Sequence, residues 1–240
     1  MKRHYLHALI ACFAFAFFAC NEPVKDNELS SKEKRQGWVL LFDGQNTTGW
    51  RAFNGTKLPS GWKVENSMLM SLGKGGDIGG DIVFDKPFKN FEFSVDWKIS
   101  KGGNSGIFYH VQEGAQYKAP YQTAPEYQLI DDIGFPGNLE EWQQTGADYA
   151  MHNADKSKKK LYPVGQWNRS KIVFNNGHVE HWLNGEKIVE FEAWTPEWSK
   201  LKNEGKWKNH PDYGLSKEGL IGLQDHGSYI WFKNIKIREM

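Results

Sequence analysis

Between Phe91 and Ile99 the chain alternates without a break. Phe91, Phe93, Val95, Trp97 and Ile99 share one parity; Glu92, Ser94, Asp96 and Lys98 share the other. Only an extended backbone sends successive side chains to opposite faces, so this stretch is a strand with one buried and one wet side. Shorter stretches of similar character surround it, at residues 38–42, 61–65, 68–70, 81–84, 106–111 and 126–130. Others follow at 168–175, 179–183, 187–191, 219–224 and 229–237. Asn175-Asn176-Gly177 and Asn184-Gly185 fit hairpin turns, because Asn and Gly tolerate positive φ. Long amphipathic helical runs are nearly absent. The exception is residues 193–208, rich in Trp, Lys and Glu, which fits a short helix or an excursion over one face. Many short strands without alternating helices predict an all-β sandwich of two antiparallel sheets. The glycine-rich run 73–80 is not followed by a helix and reads as a loop rather than a nucleotide site.

The N-terminus is of another kind. Met1-Lys2-Arg3-His4 is basic, and an apolar run from Leu6 to Ala19 follows, interrupted by His7. That run is short for a membrane span and suits an export signal. It ends in Phe17-Phe18-Ala19-Cys20, a small residue before Cys, which resembles a bacterial lipobox. The expected organisation is a lipoprotein signal peptide at 1–20, a flexible polar tether at 21–36 and one domain at 37–240. Cys20 would carry lipid and hold an exported protein to the cell envelope, as an outer-membrane lipoprotein. Cys12 would leave with the signal, so the mature domain has neither a disulfide nor a cysteine nucleophile. A formal charge of +1 gives no electrostatic reason to expect a nucleic-acid partner. The aromatic share is 15%, with 11 Trp, enough both to fill a sandwich core and to leave rings for stacking on sugars.

Four segments place polar groups on or just beyond strands. In Glu126-Tyr127-Gln128-Leu129-Ile130-Asp131, Tyr127 and Leu129 have the character of core. Glu126 and Gln128 then stand together on the opposite, open face, about 7 Å apart. Gly222-Leu223-Gln224-Asp225-His226-Gly227 puts Gln224 and His226 on one side; His is a plausible acid or base near neutral pH. Gly102-Gly103-Asn104-Ser105-Gly106 leads into Ile107-Phe108-Tyr109-His110, where alternation sets Phe108 with His110 and Tyr109 with Ile107. Gly165-Gln166-Trp167-Asn168 is the fourth. His178 and His181 lack metal-ligand spacing and read as surface. Asp131-Asp132 leaves room for a divalent cation, with no cofactor specified. No nucleophile elbow or zinc-protease helix is present.

At these same segments the chain resembles a bacterial family, the 3-keto-disaccharide hydrolases. The likeness is carried by Leu40-Leu41-Phe42-Asp43-Gly44 with Gly49-Trp50, by Asn104-Ser105-Gly106-Ile107, by Glu126-Tyr127-Gln128-Leu129-Ile130-Asp131, and by Gly222-Leu223-Gln224-Asp225-His226-Gly227 with Phe232-Lys233-Asn234-Ile235. His110 stands where many members carry Arg. The resemblance implies a concanavalin A-like jelly roll and a carbohydrate substrate. It implies cleavage of glycosides already oxidised at C3, by C2 proton abstraction and elimination, with a lyase or net hydrolase outcome. Glu126 and His226 are then the expected base and acid, in either order. Asn104, Gln128 and Gln224 would position hydroxyls or the enolate oxygen. Tyr109 or Trp167 would stack on the ring, and His110, Asp131 and Lys233 complete the expected substrate contacts. A non-catalytic surface lectin is the alternative. An ordinary glucanase, which needs several carboxylates along one strand, is disfavoured, because Gln128 and Ile130 follow Glu126.

Overall fold

The computed structural model describes residues 24–74 and 80–240. The signal peptide, Cys20, the start of the tether and most of the glycine-rich run lie outside the described residues. In chain order the strands are β1 (Val39–Leu40), β2 (Trp50–Ala52), β3 (Trp62–Glu65), β4 (Met68–Leu72), β5 (Ile82–Phe84), β6 (Phe91–Ile99) and β7 (Asn104–Val111). Then come β8 (Glu126–Ile130), β9 (Asn168–Asn175), β10 (His178–Leu183), β11 (Glu186–Glu192), β12 (Leu220–Leu223) and β13 (Tyr229–Glu239). Among the described residues two α-helices accompany them, α1 (Ser31–Arg35) and α2 (Pro196–Glu204).

The strands form two antiparallel sheets. The larger runs β11-β10-β9-β6-β13-β4-β3, with β1 also paired to β13; the smaller runs β2-β5-β12-β7-β8. The inward parity of β6 meets Ile107, Tyr109, Tyr127, Leu129, Ile221 and Leu223 from the smaller sheet in one continuous core. Burial of this apolar area drives the sandwich together. Trp97 meets its one polar need inside that core, donating Nε1–H to Ser170 Oγ at 2.9 Å.

Two features depart from alternation. His110 has φ of 58°, and the pairing of β12 with β7 shifts register between Leu220 and Gly222. This bulge turns His110 inward beside Tyr109, where its ring lies 4.2 Å from Phe174 and its Nε2 is 2.9 Å from the Lys89 carbonyl oxygen. His181, expected on the surface, is also buried, between Tyr109 and Tyr127. Burial holds both imidazoles neutral by pushing each pKa down to about 4.

The second departure concerns the segment expected as a flexible tether. Residues 24–36 are seated on the outer face of the larger sheet. Asn27 and Asn234 clasp each other through backbone N–H to side-chain oxygen bonds of 2.6 and 2.8 Å. Asp26 pairs with Lys233, and Glu33, inside the Ser30 capping box of α1, pairs with Lys236. This cover explains why Ser94 and Asp96, on the wet parity of β6, are buried.

Candidate functional site

The outer face of the smaller sheet carries a second set of inward-looking polar groups. Pairing sets Gly106 opposite Gln128 and Phe108 opposite Glu126. Gly222 on β12 faces Phe108, and just beyond it Gln224 donates its N–H to the Gly106 carbonyl at 3.0 Å. Asn104, Gly106, Glu126, Gln128 and Gln224 therefore share one patch. Gly106 is the vacancy that makes it work. A Cβ built there would collide with Glu126 Oε1, so the carboxylate lies over a residue without a side chain. Gln128 donates from Nε2 to Asn104 Oδ1 at 2.7 Å, which fixes both amides. Gln224 Oε1 is buried and has no hydrogen-bond partner among the described residues.

A roof closes over this floor. Thr195 caps α2 by accepting from the Trp198 N–H at 3.1 Å, and Pro196 opens its first turn. The chain then turns through a short 3-10 stretch, Lys206–Asn209, whose Trp207 stacks on Tyr213 at 4.2 Å. Lys202 ties the helix to this return by donating to the Pro211 carbonyl at 2.8 Å. Floor and roof enclose a cavity of about 420 Å³, walled by Asn104, Glu126, Gln128, Gln224 and His226 on one side. Lys206, Trp207 and His210 line it from the return, and Tyr121 and Tyr149 from two further connecting segments.

Enclosure decides the electrostatics. Glu126 is only 4% exposed. Burial, then the nearby negative charge of Asp81 and Asp148, lifts its pKa to about 8, against the pull of Lys206. Asp81, on the neighbouring strand end, is raised to about 7 by burial and by Asp225, although it accepts the Asp225 N–H at 2.9 Å. A desolvated carboxyl whose pKa lies near neutrality can exchange protons in either direction.

The structure brings together five expected residues: Glu126, His226, Asn104, Gln128 and Gln224. Five others lie elsewhere. Tyr109 and His110 are in the sandwich core, the first 3.3 Å from His181 Nε2 through its hydroxyl. Asp131 accepts N–H groups of Gly102, Ile133 and Gly134 and is a loop organiser; these bonds outweigh its burial and lower its pKa. Trp167 and Lys233 meet on the outer face of the larger sheet, 4.5 Å from ammonium to ring, with Lys233 paired to Asp26. Asp132 is equally committed, to the Thr145 N–H and to Lys159, so the Asp131-Asp132 pair offers a cation little. A second hollow of about 320 Å³ beside that pair is walled mainly by apolar groups such as Trp97, Ile130 and Leu161. His178, Glu180 and Glu190 on the β10–β11 hairpin bring three ligand atoms within 4.8 Å of one another, but Lys187 already pairs with both glutamates.

The lining residues Tyr121, Tyr149, Lys206, Trp207 and His210 were not legible as site residues. For Lys206 and Trp207 the one sequence signal is the Trp- and Lys-rich excursion at 193–208, and nothing local says which face it covers; Tyr121, Tyr149 and His210 lie in separate connecting segments with no such signal.

Residues 37–238 match the family model described as a 3-keto-alpha-glucoside-1,2-lyase-like domain. The chain is 36% identical over 228 residues to a 3-keto-disaccharide hydrolase of Bacteroides thetaiotaomicron, covering 84% of this chain and 78% of that one. A crystal structure described as a candidate glycosyl hydrolase from Parabacteroides distasonis superposes with a TM-score of 0.85 at 46% identity, covering 90% of this chain and all (100%) of that one. Another such candidate from the same organism, at 24% identity, 85% and 99% coverage and a TM-score of 0.64, shares the fold. With a buried carboxyl and fixed amides gathered on one face of a jelly-roll sandwich, the chain belongs to the 3-keto-alpha-glucoside-1,2-lyase-like family and is a glycoside-cleaving enzyme.

Proposed function

We propose that this enzyme cleaves glycosides whose sugar is already oxidised at C3, by elimination across C1 and C2. The observation that carries the reading is the buried Glu126, a carboxyl with a pKa near 8 at the floor of an amide-lined hollow. A ketone at C3 acidifies the C2 hydrogen, so a base of this strength suffices and no pair of carboxylates across the glycosidic bond is needed. Glu126 takes the C2 proton. The C–H electrons form the C2–C3 double bond of an enolate, with charge on the C3 oxygen. They then return to expel the C1 substituent, leaving a C1–C2 double bond beside the ketone. His226 protonates the departing oxygen. Water adding to C1, with a proton returned to C2, gives net hydrolysis; release before that step gives the lyase product. Asn104, Gln128 and Gln224 hold the sugar hydroxyls, the free Gln224 oxygen accepting one of them.

The test is turnover of a 3-keto-glucoside or 3-keto-trehalose in deuterated water by the wild type, Glu126→Gln and His226→Asn. We expect release of sugar carrying deuterium at C2. Glu126→Gln should lower kcat at least about a hundredfold, the usual scale for a lost general base. With Glu126 as base, wild-type kcat/KM should rise as pH rises through about 8. A fall over that range would exchange the roles of Glu126 and His226. Full activity in both variants would discard the mechanism, and binding without release would point to a lectin.

A further inference from the structure

We propose that Tyr149 and Lys206, which both line the cavity, form the electrophilic pair that takes the charge developing on the substrate's ketone oxygen. This rests on the elimination reading and adds the group that reading lacks.

The floor supplies a base and fixed amides but no permanent cation. The Gln128 Nε2 group is already engaged with Asn104. Among the described residues, Lys206 is the only lysine or arginine that lines the cavity. Lys159, Lys233 and Lys236 each end on a carboxylate, and Lys202 on a backbone carbonyl. Lys206 instead ends on a phenol, donating from Nζ to Tyr149 Oη at 2.7 Å. Three rings hold it there: its ammonium lies 4.2 Å from the Tyr149 centroid, 5.4 Å from Trp142 and 5.6 Å from Trp207. Aromatic faces attract a cation without neutralising it as a carboxylate would. The ammonium therefore keeps its charge for the cavity.

The bond has a direction. Lys206 donates, so the Tyr149 oxygen accepts, and the phenolic proton remains free to be given elsewhere. A hydroxyl polarised by a cation behind it is a strong donor to an oxygen that is gaining charge. Both groups line the same cavity as Glu126, so one bound sugar can meet both the base and the donor. Tyr149 would touch the substrate and is the catalytic residue of the pair. Lys206 acts through it and is a positioning residue. The backbone places Tyr149 firmly, since its N–H donates to the Glu126 carbonyl at 3.0 Å and its own carbonyl accepts from Trp207 Nε1 at 3.2 Å.

The experiment compares wild type, Tyr149→Phe, Lys206→Met, Lys206→Arg and the Tyr149→Phe/Lys206→Met double variant on a 3-keto-glucoside. Melting temperature checks the roof, because Phe and Met keep the ring and the aliphatic stem in place. We expect kcat to fall about a hundredfold in each of the first two variants, the scale of one lost oxyanion donor, with KM within threefold. The double variant should be no worse than about twice the weaker single, because the two act as a unit. Lys206→Arg should recover at least a tenth of wild-type kcat. Unchanged kcat in Tyr149→Phe and Lys206→Met, or a loss confined to KM, would overturn the assignment while leaving the elimination intact. Wild-type enzyme that releases sugar without deuterium at C2 would instead overturn the elimination on which the pair depends.

Discussion

At the scale of single residues, the site is a consequence of one missing side chain. Gly106 sits across the strand pair from Gln128, and the Glu126 carboxylate folds over it. With a side chain there, Glu126 would have to swing away from the amides. Gly106→Ala is therefore expected to cost activity well beyond its effect on folding. A displaced catalytic group commonly loses about a hundredfold in rate, whereas overpacking of this size costs about 1–3 kcal/mol. Steady-state kinetics beside a denaturant titration separates the two. Near wild-type kcat in a stable Gly106→Ala protein would show that Glu126 does not need its place over β7. The same scale explains why side-chain chemistry alone misplaced Tyr109 and His110. Both are reasonable sugar contacts by type, yet each is committed to the core, to His181 and to the Lys89 carbonyl.

At the scale of elements, two segments without strand character do work that the strands cannot. The α2 excursion turns an open sheet face into an enclosed cavity, and enclosure is what raises the basicity of Glu126. Residues 24–36 cover the opposite side of the sandwich, on the larger sheet. Their hold depends chiefly on the clasp between Asn27 and Asn234, both with positive φ, at 59° and 53°. Asn27 also donates to the Ser67 carbonyl at 2.8 Å. Asn27→Ala removes these side-chain bonds and puts alanine in a left-handed conformation. A loss of about 2–3 kcal/mol in unfolding free energy is expected from the two together. The ion pair of Glu33 with Lys236 is partly exposed and should matter less. Because the clasp and the cavity lie on different sheets, Asn27→Ala should leave kcat unchanged. A drop in kcat at unchanged stability would contradict this separation.

At the scale of the whole molecule, four buried ionisable groups set how stability follows pH. His110 and His181 are held neutral with pKa values near 4, below their unfolded value of 6.5. Between those values the unfolded chain binds more protons, so stability from the histidines falls as pH drops. Asp81 and Glu126 run the other way. Their folded pKa values, about 7 and about 8, exceed the unfolded 3.8 and 4.5. The folded protein binds more protons there, so their contribution falls as pH rises. From about pH 4.5 to 6.5 the two effects oppose each other and stability should be nearly flat. Above 6.5 the carboxyls still change, joined by His178, whose pKa the hydrogen bond to Glu192 raises; all act in the same direction, and stability should decline until about pH 8. Glu126→Gln should flatten that alkaline decline. Urea midpoints at pH 5, 6.5 and 8.5 for both proteins check this, and an equal decline in the variant would remove Glu126 from the account.

The alternation of residues 91–99, with the turns and short strands around it, was enough to specify a sandwich of two antiparallel sheets. It also put Glu126 and Gln128 on one face and Tyr127 and Leu129 on the other, because parity along an unbroken strand is a local property. Tertiary structure decided the rest. The bulge at His110 reverses parity, and it is defined only by pairing with β12, far along the chain, where the step from Leu220 to Gly222 spans the longer step from Val111 to Phe108. His181 is buried by what packs over β10, Lys206 reaches the site only because α2 and its return cross that sheet face, and Tyr149 reaches it because its loop pairs with the edge of β8. Burial, and with it the pKa of a buried acid, is a property of what covers a residue, and covering is an agreement between segments that no single stretch of sequence contains.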